Sequence, residues 1–392
     1  MKLKIRPFQL RWAMICAFLC FMLFFSTQPA SAGAKVKCKT TVCCAASYGD
    51  VIPMLPAPAV PKGDTYRFIA LGDSRTGDRS DTSGENKEFH HFRDLVLGSV
   101  ARELTVGSVP FALFSGDLIW QGGVKYYWDE VYKIWNDKVR KKIYPVIGNH
   151  EAWSGDIGIS KPLTYYFQAF PQIKGLHNYA FKIGSSLFIS LCSGVYGELY
   201  SRDNAIKWDR EWTCQKWTFQ QVSQALKMIL NSHLSGNSPV QNIFLTYHKP
   251  SYSFYGHPPL DDINDPLQIM LSFKTVYSNL KNVFVFNGHN HTTEMYHPAA
   301  GVWVIVAGGG GAPQDPIKMN SYTKKEPELF WKILGDKPLV PRECRINYFI
   351  VTVNNKTGDV QVREKYLKEE TGSEPGFVDG VSISNDELKI HK

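Results

Sequence analysis

Five times along this chain a short apolar run ends in a small polar cluster. Phe68-Ile69-Ala70-Leu71 leads into Gly72-Asp73-Ser74-Arg75, and Phe111-Ala112-Leu113-Phe114 precedes Gly116-Asp117-Leu118. Tyr144-Pro145-Val146-Ile147 leads into Gly148-Asn149-His150-Glu151, and Ile243-Phe244-Leu245-Thr246 into Tyr247-His248-Lys249-Pro250. Val283-Phe284-Val285-Phe286 comes before Gly288-His289-Asn290-His291. A short, nearly continuous apolar run is how a strand reads when both its faces are covered. Helical spacing separates these runs: Phe92, Leu95, Val96, Val100 and Leu104 within 89–104, and Tyr127, Val131, Ile134 and Trp135 within 124–139. Residues 218–234 and 266–280 also read as helices. Alternating strands and helices predict an α/β fold with a mixed or parallel core sheet.

The remaining pattern sets the expected boundaries. Tyr179–Ile183 and Ser186–Leu191 form a hairpin signal around Gly184-Ser185, and Val302–Val306 is a strand ending in Gly308 to Gly311. Tyr348–Val353 and Val360–Tyr366 read as a closing hairpin. Residues 33–63 carry Pro53, Pro56, Pro58 and Pro61 and are expected to be an extended lead-in. The folded domain is placed at 64–368, with an aromatic-rich insertion at about 155–215 and a loose polar tail at 369–392. Residues 1–32 have the form of a secretory signal: a basic start, an apolar run from Trp12 to Phe25, then Ala30-Ser31-Ala32 as a small-residue cleavage site. That run is shorter than the ~20 apolar residues a spanning helix needs, so export without a stable membrane span is expected. Six cysteines would remain, an even number that permits disulfides of undetermined pairing.

Charge changes the picture little. The formal net charge is +8, and removal of Lys2, Lys4, Arg6 and Arg11 leaves about +4. No dense basic run with interleaved aromatics occurs, so a nucleic-acid partner is not indicated.

Chemistry is expected at the clusters. Loops at the carboxyl ends of core strands are where α/β sheets place ligands. The glycine before the key residue in four of the five is expected to let the chain turn sharply. Carboxylate, amide oxygen and imidazole together suit a pair of divalent or trivalent ions bridged by one carboxylate. His90, His91, His177, His233, His257 and His297 complete no motif and read as structural or surface residues. Gly308 to Gly311 is followed by no Lys-Ser/Thr pair and reads as a structural turn rather than a phosphate loop. No Gly-x-Ser-x-Gly elbow is present, which argues against serine hydrolase chemistry.

The ordered set Asp73, Gly116-Asp117, Gly148-Asn149-His150-Glu151, His248 and Gly288-His289-Asn290-His291 resembles the calcineurin-like metallophosphoesterases, including the purple acid phosphatase branch, over roughly Tyr66 to Tyr366. The resemblance implies a four-layer α/β/β/α sandwich of two mixed sheets flanked by helices. It implies hydrolysis of a phosphate mono- or diester by a metal-activated hydroxide, with two ions drawn from Mn, Fe or Zn. Asp117 would bridge them, Asp73 and His291 would bind the first, and Asn149, His248 and His289 the second. His150 would face the substrate, steadying phosphoryl oxygens or protonating the leaving oxygen.

Two positions depart from the family. Where its first cluster reads Asp-x-His, this chain has Arg75, and Trp120 stands where purple acid phosphatases place a metal-binding Tyr. Neither can replace the ligand, which disfavours an iron-tyrosinate centre. Three arrangements are open: water completes a weak first site, His90 or His91 reaches in, or Arg75 supplies positive charge that grips the phosphate. Glu151 either orients His150 or forms a nearby salt bridge. Tyr255 and His257, with Tyr252, are candidate pocket-lining residues. The alternative function is a phosphate-ester-binding protein whose altered metal site gives little turnover.

Overall fold

The computed structural model describes residues 48–392 apart from 79, 82, 154–162, 193–216, 218, 252, 254–255, 257–265, 314–344, 369–375, 385 and 392. The expected signal segment, residues 33–47 of the lead-in, Tyr252, Tyr255 and His257 therefore lie outside the described residues. So does much of the expected insertion.

The chain enters through α1 (Tyr48–Val51) and an extended stretch whose Leu55 N–H donates to the Ala180 carbonyl at 2.7 Å. Next come β1 (Thr65–Leu71), α2 (Gly84–Thr105), β2 (Ala112–Phe114), α3 (Lys125–Ile134), α4 (Asp137–Arg140) and β3 (Ile143–Pro145). Ser83 caps α2 by accepting the Asn86 N–H. The single helix expected over 124–139 is broken at Trp135, and Asn136 starts a new turn by accepting the N–H groups of Lys138 and Val139. α5 (Leu163–Ala169), β4 (Tyr179–Ile183), β5 (Ser186–Leu191), α6 (Phe219–Leu234), β6 (Asn242–Tyr247), α7 (Pro266–Val276) and β7 (Asn282–Asn287) follow. The chain closes with β8 (Thr293–Ala299), β9 (Val302–Ala307), β10 (Asn347–Asn354), β11 (Val360–Lys368), β12 (Gly376–Ser384) and β13 (Glu387–Ile390).

Two mixed sheets result. One has the order β13-β12-β11-β10-β1-β2-β3, and the other β4-β5-β6-β7-β9-β8. β1, β2 and β3 are parallel to one another, as are β5, β6, β7 and β9. The sheets pack face to face through aromatics: Phe68 of β1 meets Phe188, Phe244 and Phe286 of the second sheet at ring distances of 5.3, 4.9 and 6.4 Å. On the second sheet's other face, Ile243, Leu245, Val283 and Val285 join Leu226, Ile229, Leu230 and Met270 of α6 and α7 in a separate buried cluster. Ser99 of α2 meets the Tyr348 hydroxyl of β10 at 3.1 Å, which places α2 on the first sheet. This is the expected α/β/β/α sandwich, and the double-sided burial explains the unbroken apolar runs.

Two boundary expectations are corrected, and one unannounced strand appears. The tail is not loose: β12 pairs with β11 and β13 with β12, and Val381 and Ile383 enter the core. Residues 155–215 are only partly an insertion, because β4 and β5 belong to the second sheet. β8 is a strand the pattern does not announce, since its first residues, Thr293 and Glu294, are polar yet buried.

Candidate metal centre

Parallel pairing decides which residues can meet. β1, β2 and β3 deliver Asp73, Asp117 and Asn149 to one rim of the first sheet. β6 and β7 deliver His248, His289 and His291 to the matching rim of the second. Backbone bonds lock the loops together. The Asp73 N–H donates to the Gly116 carbonyl and the Ser74 N–H to that of Asp117, both at 2.9 Å, and the Gly288 N–H donates to the His248 carbonyl at 2.8 Å. Asp73, Asp117 and His289 adopt φ of 58°, 58° and 70°, the left-handed region that non-glycine residues occupy at a cost of about 1–3 kcal/mol each. Such strain survives where the surroundings over-determine it, and here it marks three of the expected ligands.

The glycines serve a different end from the one expected. Of the four cluster glycines, only Gly116, with φ of 95°, needs the left-handed turn. Gly148 and Gly288 are required for space. A Cβ on Gly148 would lie 2.2 Å from Asp117 Oδ1, and one on Gly288 2.4 Å from Asp73 Oδ2. We expect Gly288→Ala to weaken metal binding at least about tenfold while the protein stays folded, because one methyl group displaces a carboxylate. Calorimetric metal titration of wild type and variant checks this. Within the glycine run after β9, a Cβ on Gly310 would meet the Gly72 carbonyl oxygen at 2.1 Å, consistent with a structural turn.

Two donor groups form, each with its atoms within 4.8 Å of one another: Asp117, His248 and His289, and Asp73, Asp117 and His291. Asp117 belongs to both. Asn149 completes the first group, its Oδ1 lying 2.9 Å from His248 Nε2 and 3.0 Å from His289 Nδ1. His248 Nδ1 meets the Ser115 carbonyl at 2.7 Å, and His291 Nδ1 meets that of Pro313, so each ring turns Nε2 inward. Nε2 of His248 is 3.3 Å, and Nε2 of His150 3.9 Å, from Asp117 Oδ2; His291 Nε2 is 3.8 Å from Asp73 Oδ1.

Burial and mutual charge set the protonation of these donors. Burial holds the Asp73 carboxyl well above the usual carboxylate range; His248 opposes this, and the charge on Asp117 adds to it. Burial also works to raise Asp117, but His248, His150 and Arg75 outweigh it and keep that carboxylate ionised. Burial works against a charge on His248, yet Asp117 and Asp73 push it up to about 9. That proton offsets the buried carboxylates in the metal-free protein and would leave on metal binding. For His291, burial and then Arg75 hold the imidazole well below its ordinary value, so its lone pair is available. Oxygen and imidazole donors, inward lone pairs and two closely spaced buried carboxylates fit a pair of metal ions.

His150 stands beside the donors. Its N–H donates to Asp117 Oδ1 at 2.9 Å, and its ring Nδ1 meets the Trp120 carbonyl at 2.6 Å. Burial pushes the imidazole down to about 4, with Asp117 opposing and Arg75 assisting. Its ring lies 4.9 Å from that of Trp120 and 5.4 Å from that of Trp153. The Arg75 guanidinium carbon sits 4.8 Å from the centre of the Trp120 ring. His90 and His91 do not reach in: His90 lies beside Arg93, Asp94 and Glu130 on the outer helices, and neither joins a donor group among the described residues. His177 stacks on Phe167 and His297 on Trp303, both structural as expected.

Glu151 follows neither expected role. Its carboxylate accepts the N–H groups of Asp117, Leu118 and Gly148 at 2.8, 2.7 and 2.8 Å, pinning the second and third loops together. Burial, then the nearby Asp117 charge, raises it to about 7. Sequence reasoning missed the corresponding brace on the other sheet. Glu294 Oε1 accepts the Ser253 hydroxyl at 2.6 Å and the Thr292 hydroxyl at 3.1 Å, and Asn290 Nδ2 donates to Ser253 at 2.7 Å. These bonds tie the His248 loop to the loop bearing His289 and His291, and nothing in a Thr-Glu pair announces that.

Residues 66–293 match the calcineurin-like phosphoesterase family. Among solved structures, a purple acid phosphatase from yellow lupin (Lupinus luteus) is 14% identical, with a TM-score of 0.48 over 84% of this chain and 55% of that one. A dimetal phosphatase from Danio rerio is 15% identical, with a TM-score of 0.46 over 81% and 98%. GAP50, the anchor in the inner membrane complex of Plasmodium, is 12% identical, with a TM-score of 0.44 over 80% and 89%. No curated protein sequence matches this chain.

Proposed function

The chain belongs to the calcineurin-like phosphoesterase family, and we propose that it is an exported phosphatase whose metal centre is held by Asp73, Asp117, Asn149, His248, His289 and His291. The observation that carries this reading is the pair of donor groups sharing Asp117. Asp117 would contact both ions, Asp73 and His291 would complete one site, and Asn149, His248 and His289 the other. Bound there, two metal ions would polarise the phosphate ester and activate water for in-line attack.

The chain's own residues would do the rest. Glu151 and Glu294 hold the ligand loops in register. The Trp120 carbonyl fixes the His150 ring, which leaves Nε2 toward the centre, where a protonated imidazole can give its proton to the leaving oxygen. Arg75 replaces the expected ligand of the first site, so that site has fewer protein donors and is the weaker of the two. Export is supported by the form of residues 1–32 and by the disulfide at Cys192. No helix among the described residues is long and apolar enough to cross a membrane.

Metal content distinguishes the strong from the weak site. We expect wild-type protein dialysed against trace metal to retain about one ion per chain and to fill the second only at higher concentration, whereas Arg75→His retains about two. A single tightly held ion in both proteins contradicts the assignment of Arg75 to the first site. Turnover of p-nitrophenyl phosphate with added Mn, Zn or Fe separates a phosphatase from a phosphate-binding protein with an impaired centre.

A further inference from the structure

We propose that Arg75, seated on the indole of Trp120, makes this centre select the doubly charged terminal phosphate of a monoester over the singly charged phosphate of a diester. The inference rests on the phosphoesterase reading above and adds a substrate class to it.

Position comes first. Arg75 lies two residues beyond Asp73, in the loop that follows β1. Its charge acts on Asp73, Asp117, His150 and His291 together, so the guanidinium lies close to the donor cluster. The Arg75 Nε is itself buried. Trp120 carries the guanidinium on its ring while its carbonyl holds His150, so one residue sets the positions of both polar groups beside the metal ligands. Trp153 backs the same indole at 5.2 Å. Trp120 is thus the positioning residue of the pair.

Charge supplies the selection. In the family pattern the Arg75 position is a neutral imidazole that binds metal. Here it adds one fixed positive charge, and no carboxylate beyond Asp73 and Asp117 enters either donor group among the described residues. With both ions bound, a centre richer by one positive charge suits an anion richer by one negative charge. A planar guanidinium can also pair through parallel N–H groups with two oxygens of one phosphoryl. A monoester has three non-ester oxygens to share between metal ions and arginine, and a diester has two. Partial burial makes the pairing stronger than it would be in open water.

The test compares two ligands that differ by one charge. Phenylphosphonate and its monomethyl ester are titrated by calorimetry into zinc-loaded wild type, Arg75→Met, Arg75→Lys and Trp120→Leu, with melting temperature and metal content recorded for each. Wild type is expected to bind the dianion at least about tenfold more tightly than the monoanion, as charge-assisted pairing predicts. Arg75→Met should bring the ratio to about twofold or less by weakening the dianion, Arg75→Lys should restore part of it, and Trp120→Leu should fall between. The ratio of kcat/KM for p-nitrophenyl phosphate over its bis-ester should follow the same order. Equal binding of both ligands by wild type that still turns over p-nitrophenyl phosphate overturns the inference and leaves the phosphatase reading intact. So does an unchanged ratio in folded, metal-loaded Arg75→Met; should that variant not fold, Arg75→Gln takes its place. Absence of both binding and turnover in wild type overturns the phosphatase reading, and this inference with it.

Discussion

Asp117→Asn should lose one metal ion and reduce kcat/KM for p-nitrophenyl phosphate by about a thousandfold or more. Asp117 is the only residue shared by both donor groups among the described residues, so no neighbour can replace its second oxygen. It is fully buried, and its ionised state is held by His248, His150 and Arg75. An amide keeps the shape but removes the negative charge that would attract both cations. A thousandfold corresponds to about 4 kcal/mol of transition-state stabilisation, within what metal-ion chemistry supplies. Folding should survive, because the backbone bonds from the Asp117 N–H to Glu151 and from the Ser74 N–H to the Asp117 carbonyl do not use the side chain. Metal analysis together with steady-state kinetics checks both halves. Full activity with two ions bound would remove the bridging role.

The second large effect belongs to His150. Its Nδ1–H donates to the Trp120 carbonyl, so the neutral ring presents a lone pair at Nε2 and has no proton to give there. Burial lowers its pKa to about 4, which leaves the ring neutral at pH 7 in the free protein. A general acid must therefore gain its second proton either from acidic solvent or with the arrival of an anionic phosphate beside it. The sign follows. The wild-type rate on an ester with a poor leaving group should rise as pH falls toward the acid limit, where carboxylate protonation and loss of metal take over. His150→Ala should flatten that rise. It should cost about a hundredfold to ten-thousandfold on an alkyl phosphate and only about tenfold on p-nitrophenyl phosphate, whose leaving group needs little help. An equal loss on both esters would indicate that His150 steadies the phosphate and does not protonate the leaving oxygen.

The site was more legible than the fold around it. Each ligand follows an apolar run directly, so strand ends and donor types appear side by side in the chain, and their order survives any uncertainty about sheet pairing. What the two sheets do with those ends is not local information. β1 pairs with β10, a strand almost the whole domain away, and no periodicity announces the partner. The final strands were hidden because β12 buries only its last few side chains and β13 lies at the sheet edge, where polar residues are tolerated. Glu151 and Glu294 read as loop charges, yet both are buried and serve as acceptors between ligand loops. Arg75 and Trp120 were visible as departures from a pattern. Only the three-dimensional arrangement shows that they touch.

Chelator-stripped protein, titrated with Mn or Zn while p-nitrophenyl phosphate hydrolysis is followed, decides whether the shared-Asp117 cluster is a two-metal phosphatase centre. No turnover is expected without metal, and low turnover near one equivalent. Full turnover should appear only as the weaker site fills, beyond the first equivalent. Hydrolysis that persists in the stripped protein, or metal ions that bind without restoring any turnover, would contradict that reading.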